Sequence, residues 1–146
     1  MHKTLNTRGH AAFSLYYHLV LTTKYRHRCL TAEMLVRMRE VLASVLADWR
    51  CELVEFNGEV DHVHLLLRAH PALNLASLVG NLKTVTSRRL RAEFVEQLRP
   101  FYWKPMLWNK AYAVVSVGPH ASLEVVMRYI QDQDTPPARP VCSKVD

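Results

Sequence analysis

The stretch CELVEFNGEVDHVHLLLRA, residues 51–69, contains two runs of strand-forming residues that are interrupted at Asn57-Gly58. Valine, leucine and phenylalanine favour extended backbone, so each run predicts one β-strand. Asn-Gly tolerates positive φ and is typical of a tight reversal between antiparallel strands. The stretch therefore predicts a β-hairpin whose turn lies at Asn57-Gly58.

A strand and a helix are predicted before this hairpin. The segment SLYYHLVLTT, residues 14–23, is rich in aromatic, β-branched and leucine residues, which predicts a first strand. A basic turn follows at residues 24–28. Thr31 has the side chain of an N-cap, and the apolar residues after it keep helical spacing up to Trp49. This pattern predicts a first helix that ends near Trp49.

A second helix and a fourth strand are predicted after the hairpin. Apolar residues recur at helical spacing from Asn74 to Phe94, and the segment AYAVVSVG, residues 111–118, is typical of a strand. The resulting order, β-α-β-β-α-β, is that of the ferredoxin-like fold. The chain is therefore predicted to be an α+β protein in which two helices pack on one face of an antiparallel sheet.

The C-terminal region predicts one more helix and a tail. Ser122 is an N-cap candidate for a helix that carries Tyr129, and three prolines follow Asp134. We expect residues 1–135 to form a single domain and residues 136–146 to be a disordered tail.

The charges of the chain are unevenly distributed. The formal net charge is +6, no acidic residue precedes Glu33, and none lies between His62 and Ala92. These two segments contain the basic residues that we expect to contact DNA: Lys24, Arg26, Arg28, Lys83, Arg88, Arg89 and Arg91. Two wholly basic segments favour a surface that neutralises phosphates, although a generically basic domain is the alternative.

Several classes of protein are disfavoured by the sequence. It shows no apolar run long enough to cross a membrane and no apolar signal block, so we expect a cytoplasmic protein without a membrane partner. Cys29, Cys51 and Cys142 form no C-x-x-C pair and are expected to be reduced thiols. The G-x-x-x-x-G-K-[ST] loop is missing, so no nucleotide cofactor is expected.

His62 and His64 are candidate metal ligands. Side chains alternate along a strand, so both imidazoles should point to one face and Val63 to the other. Asp61 either orients one imidazole or belongs to the hairpin turn. The alternative is a pair of histidines on a solvated strand face.

Tyr129 and Gln133 lie one turn apart on the last predicted helix, beside its apolar stripe. A phenol can attack a phosphodiester and keep the energy of the broken bond in a phosphotyrosine. The amide oxygen of Gln133 is a candidate ligand for a cation next to that phenol. The alternative is a half-buried tyrosine whose hydroxyl contacts water.

These motifs together carry a resemblance to a known family. DHVHLLL, LWNKAYAVVSVG and ASLEVVMRYIQDQ follow one another, and YYHLVLTTKYRHRCL and NLKTVTSRRLRAEF add to the match. Over nearly its whole length the chain resembles the single-tyrosine HUH transposases of the insertion-sequence 200/605 family. It departs from the family pattern at Val60, Thr84 and Asn109-Lys110, and none of these is a proposed catalytic residue.

The resemblance implies a function and its residues. Tyr129 would be the nucleophile that cleaves and rejoins single-stranded DNA at the ends of an insertion sequence through a 5′-phosphotyrosine. His62, His64 and Gln133 would bind Mg²⁺, although two imidazoles also suit Mn²⁺. The family implies recognition of DNA hairpins and a homodimer that shares its active sites.

Other functions remain open at this stage. A replication-initiation, relaxase-type or domesticated HUH nuclease would use the same chemistry. A non-catalytic nucleic-acid-binding module would use only the sheet and the basic helices, although HVHLLLRA lacks the aromatic signature of RNA-recognition domains.

Overall fold

The computed structural model of the protein describes residues 6–8, 11–13 and 15–117. The strands are β1 Asn6–Arg8, β2 Ala11–Phe13, β3 Leu15–Thr23, β4 Glu52–Gly58, β5 His62–Ala69 and β6 Trp108–Val117. The helices are α1 Ala32–Asp48, α2 Leu75–Glu93 and α3 Val95–Leu98, and a 3-10 turn covers Lys24–Arg26. The last predicted helix and the tail lie outside the described residues.

Four strands form one antiparallel sheet in the order β4-β5-β3-β6. Together with α1 and α2 they give the predicted β-α-β-β-α-β order, so the ferredoxin-like fold is confirmed. The small antiparallel pair of β1 and β2 was not predicted. None of the helices in residues 15–117 has the length and apolar character that crossing a membrane requires.

The core lies between one face of the sheet and the two long helices. Leu19 and Leu21 of β3 and Leu65 and Leu67 of β5 are buried in it. The helices contribute apolar stripes at helical spacing, which are Met34, Met38, Leu42, Val45 and Leu46 on α1 and Leu78, Val79, Leu82 and Leu90 on α2. Since strand side chains alternate, the odd-numbered residues of β3 and β5 face the helices, and their even-numbered residues face away.

Both long helices begin where their capping residues predict. The Thr31 side chain accepts a hydrogen bond of 3.2 Å from the Met34 amide, and Asn74 Oδ1 accepts one of 3.1 Å from the Ser77 amide. Each cap satisfies an amide that the first helical turn leaves without a backbone acceptor. Helix boundaries were therefore predicted to within a residue or two.

The predicted turn at Asn57-Gly58 is wrong. Both residues belong to β4, where Gly58 pairs with Val63 of β5, and the chain reverses over residues 59–61. Gly58 lies close to α1 instead, since a Cβ there would lie 2.5 Å from Leu35 Cδ2 and the leucine side chain would have to shift. The true turn is fixed by backbone bonds from Leu30 N to Val60 O (2.9 Å) and from Thr23 N to Asp61 O (3.0 Å).

Strand β6 begins three residues earlier than predicted, at Trp108. The indole of Trp108 is buried, and its Nε1 donates a 2.8 Å hydrogen bond to Thr86 Oγ1 of α2. Thr86 Oγ1 in turn donates to the Leu82 carbonyl at 2.7 Å. This fully buried link fixes the start of β6 against α2.

We expect Thr86→Val to lower the free energy of unfolding by about 1–3 kcal/mol, because it leaves the buried Trp108 Nε1 without an acceptor. Thr84→Val is the matched control on an exposed position of the same helix and should change stability by less than about 0.5 kcal/mol. Urea unfolding measures both. Equal stability of the two variants would show that the hydrogen bond contributes nothing.

Candidate functional site

His62 and His64 lie on the sheet face that points away from the helices. Val63 between them is fully buried in the core, so the pleat of β5 directs both imidazoles to the opposite face. Their rings stack with centroids 5.0 Å apart and planes inclined by 19°. Both side chains are buried, so the alternative of a solvated strand face does not hold.

A short chain of polar contacts fixes the ring of His62. Asp61 Oδ1 lies 2.8 Å from His62 Nδ1, and Asp61 Oδ2 lies 3.2 Å from Arg26 Nη2. Burial raises the pKa of the Asp61 carboxyl, but the hydrogen bond from His62 and the positive charge of Arg26 outweigh it and lower this pKa overall. A charged carboxylate at this position holds the ring in one orientation.

Arg26 reaches Asp61 from an unusual backbone conformation. Tyr25 and Arg26 have φ values of 63° and 53°, a left-handed region that non-glycine residues rarely adopt. The turn is held by backbone bonds at its start, where Thr23 N donates to Asp61 O at 3.0 Å and Lys24 N donates to Leu107 O at 2.8 Å. Strain of this kind persists only where the surroundings determine the backbone, and here it directs the Arg26 guanidinium toward Asp61.

His18 is a third histidine on the same sheet face, which the sequence did not single out. It is opposite Leu66 on β5, while His64 is opposite the neighbouring Val20, so the two histidines are diagonal neighbours across the strand pair. Burial, reinforced by repulsion from His64, lowers the pKa of His18 to about 4. His18 is therefore a neutral, buried imidazole beside the pair.

The prediction that His62 and His64 bind a divalent cation has one consequence for the ring of His62. Because His62 Nδ1 contacts Asp61, a cation held by this ring would be bound through Nε2. In residues 15–117 no group of three or more His, Cys, Asp or Glu side chains is arranged to hold a metal. Tyr129 and the predicted third ligand, Gln133, lie outside the described residues.

Some of the predicted DNA-binding residues come together in space. Lys83, Arg88 and Arg91 line a groove of about 440 Å³ between α2 and residues 105–108, which we call the basic groove. The two basic segments of the sequence meet here, because the Lys24 amide donates to the carbonyl of Leu107, which lines the groove, at 2.8 Å. The pKa of Lys83 is lowered by burial and by the nearby charge of Lys24.

The other predicted basic residues lie elsewhere. Arg89 forms a 3.5 Å ion pair with Glu93, which also binds Arg37 of α1, and Arg89 does not line the groove. Arg26 is engaged with Asp61, and Arg28 is exposed after the 3-10 turn.

Comparison with known proteins identifies the family. Residues 11–133 match the family model described as "Transposase IS200 like". The chain belongs to the family of IS200-like transposases. It is 32% identical over 126 residues to the ISDra2 transposase TnpA of Deinococcus radiodurans, which covers 86% of this chain and 88% of that protein.

Two further comparisons agree. The chain is 28% identical over 126 residues to the transposase for insertion sequence element IS200 of Salmonella typhimurium, which covers 86% of this transposase and 80% of that one. A solved structure assigned as a transposase from Deinococcus radiodurans has a TM-score of 0.70 and 34% identity, covering 88% of this chain and 96% of that chain.

The contact with Asp61 makes a prediction about the tautomer of His62 in this transposase. At neutral pH and in EDTA, the imidazole should carry its proton on Nδ1, because Asp61 Oδ1 accepts from that atom. In Asp61→Leu the acceptor is gone and the Nε2–H form should appear. Nitrogen NMR of the histidine side chains distinguishes the two forms.

Glu59→Gln is the matched control, since Glu59 is an exposed acid in the same turn. It should leave the His62 signals unchanged. An Nε2–H tautomer in the unmodified protein would contradict the assignment of Asp61 as the residue that orients His62.

Proposed function

We propose that this transposase cleaves and rejoins single-stranded DNA by nucleophilic attack of Tyr129, with a divalent cation held by His62, His64 and Gln133. The observation that carries the proposal is the stacked, buried pair of histidines whose orientation is set by Asp61 and Arg26. Residues that only stabilise a sheet do not require an oriented imidazole pair with a carboxylate behind it.

The positions of the other tyrosines support Tyr129 as the nucleophile. The chain has six tyrosines, and the other five are Tyr16, Tyr17, Tyr25, Tyr102 and Tyr112. Tyr17 and Tyr112 pack against the core on the helix side of the sheet. Tyr102 is buried, donates its hydroxyl proton to the Lys24 carbonyl at 2.7 Å, and has a pKa raised mainly by burial.

The two other tyrosines are Tyr16, on the sheet face that carries the histidines, and Tyr25, in the turn at the end of β3. Tyr16 shares the face of His64, but it is four residues from Val20, the partner of His64, or about 13 Å along the strand. Tyr25 is 68% exposed in the turn that follows β3, at the end of the sheet where His62 lies. Tyr25 is therefore the described tyrosine that most needs to be excluded by experiment.

The chemistry is an in-line displacement at phosphorus. The Tyr129 oxygen bonds to the phosphorus and loses its proton, while the bond to the 3′ oxygen breaks and that oxygen gains a proton. A 5′-phosphotyrosine and a free 3′-OH result, and attack by a 3′-OH on the phosphotyrosine reverses the step without an external energy source. When bound, the cation would polarise a non-bridging oxygen of the scissile phosphate. Mg²⁺ is the expected ion, and Mn²⁺ suits two imidazoles as well.

A homodimer is part of the proposal. Excision of an element needs two cuts, whereas each site holds one phosphotyrosine. Strand β6 pairs with β3 on one side and is the edge strand of the described sheet, so its other side can pair with a second copy. Gly118-Pro119-His120 would then direct the Tyr129 helix to the partner, so that each site combines histidines of one chain with Tyr129 and Gln133 of the other.

Tyr129→Phe removes only the hydroxyl, so it should abolish the covalent protein–DNA adduct on a labelled single-stranded substrate while leaving the fold intact. Denaturing gels detect the adduct directly. Tyr25→Phe is the control and should form as much adduct as the unmodified protein. If Tyr129→Phe still forms the adduct and Tyr25→Phe does not, the nucleophile is Tyr25.

His64→Ala, or EDTA added to the unmodified protein, should reduce cleavage at least about 100-fold while DNA binding changes little, because phosphate contacts dominate affinity. His70→Ala is the control, since His70 follows the opposite end of β5. Full cleavage by His64→Ala would exclude the metal site.

Mixing His64→Ala with Tyr129→Phe under subunit exchange should restore cleavage at one site per heterodimer. No recovery of cleavage would reject sharing of the sites between subunits.

A further inference from the structure

A second groove adjoins the basic groove on the helix side of the protein. It has a volume of about 480 Å³ and is lined by Arg91 and by residues between Val95 and Pro105, among them Trp103. Arg91 and Pro105 line both grooves, so the two form one continuous depression. We call the second part the Trp103 groove.

The charge of this depression favours a polyanion. None of the described residues that line the two grooves is acidic. In residues 15–117, Lys83, Arg88, Arg91 and Lys104 line the grooves without an acidic partner. Two acids of the adjoining helices are already paired, Glu93 with Arg37 at 2.7 Å and Glu96 with Arg99 at 3.3 Å. Unpaired cations in a row suit the phosphates of a nucleic acid backbone.

Trp103 gives the depression a feature that phosphate binding does not need. Its side chain is 86% exposed, whereas the indole of Trp49 is bonded to Asn81 and that of Trp108 is buried. The Lys104 ammonium lies 5.0 Å from the centroid of the Trp103 ring. An exposed indole flanked by cations is typical of surfaces on which unpaired bases stack, since every base presents a π-face. Base pairs inside a duplex do not present that face.

The backbone on either side of Trp103 is anchored by hydrogen bonds. Tyr102, next to Trp103, is buried and bonded to the Lys24 carbonyl at 2.7 Å. The Met106 amide donates to the Lys104 carbonyl at 2.8 Å, which fixes a tight turn directly after Trp103. A loop that is anchored in this way loses little conformational entropy when a ligand binds.

The depression also leads toward the paired histidines. Leu107 lines the basic groove, and its carbonyl accepts a 2.8 Å hydrogen bond from the Lys24 amide. The preceding residue, Thr23, is bonded to Asp61 O, directly before His62. A strand that follows the cations from Trp103 to Lys24 therefore arrives at the end of the sheet where His62 lies.

We infer that the two grooves bind single-stranded DNA, with one unpaired base stacked on Trp103 and the backbone following Arg91, Arg88 and Lys83. The identification of the polymer as DNA rests on the proposed function, whereas the requirement for an unpaired, polyanionic strand rests on Trp103 and the cations.

The test measures binding of a fluorescein-labelled oligothymidylate of about 12 nucleotides in EDTA, so that cleavage does not contribute. Trp103→Ala should raise the Kd about fivefold or more, while Trp103→Phe retains part of the stacking. The slope of log Kd against log salt should not change in Trp103→Ala, because stacking releases no counterions. Arg88→Gln should reduce the magnitude of that slope by about 0.7.

Matched controls lie on α1, away from the grooves. Arg39→Gln removes an exposed positive charge and Val36→Ala shortens an exposed apolar side chain, and neither should change the Kd or the slope. Binding by Trp103→Ala that equals binding by Val36→Ala would overturn the stacking platform. An equal loss on a blunt duplex of matched length would overturn it as well.

Covalent adduct formation separates this inference from the proposed function. If the unmodified protein forms the Tyr129 adduct but the Trp103 and Arg88 variants bind and cleave as the controls do, the groove assignment is wrong and the proposed function stands. If oligothymidylate binding depends on Trp103 and Arg88 but no adduct forms under any metal condition, the groove assignment stands and the proposed function fails.

Discussion

The pleat of β5 is the constraint on which the rest of this structure depends. Val63, Leu65 and Leu67 must enter the core between the sheet and the helices, and a period of two then directs His62 and His64 to the other face. A slip of one residue in the pairing with β3 would bury the imidazoles among the helices and expose the leucines. Burial of the leucines therefore fixes the positions of the histidines more strongly than any contact that the histidines make.

Elements whose boundaries depend on neighbouring residues could be predicted from the sequence. The prediction was wrong where contacts with a distant segment determine the backbone. Thr31 and Asn74 cap helices through their own following turns, so their positions were readable. Asn57-Gly58 has the composition of a turn, yet the reversal lies two residues later, because Leu30 and Thr23 bind the carbonyls of Val60 and Asp61. The close approach of Gly58 to Leu35 involves a different element, so it was not visible in the hairpin sequence.

The same distinction applies to the candidate site. That His62 and His64 share a face follows from alternation along one strand, and the structure shows it. The proximity of His18 depends on the register between β3 and β5, and the contact of Arg26 with Asp61 depends on a left-handed turn, so neither could be read from the chain. Arg88 and Arg89 were predicted together as DNA contacts, but they point about 100° apart on the helix, and Arg89 is paired with Glu93 one turn later.

The end of β3, at Thr23, and the following Lys24 lie between the histidine pair and the basic groove. Thr23 and Lys24 are adjacent in sequence, and their amides bind Asp61 on the histidine side and Leu107 on the groove side. Tyr102 adds a third bond from the Trp103 loop to the Lys24 carbonyl. These bonds use only backbone atoms of Thr23 and Lys24, so the position of the turn does not depend on its side chains. The side chain of Lys24 therefore remains available to a phosphate. The connection between the basic groove and the turn before His62 is therefore made by backbone atoms, and the exposed side chains around it can vary without disturbing it.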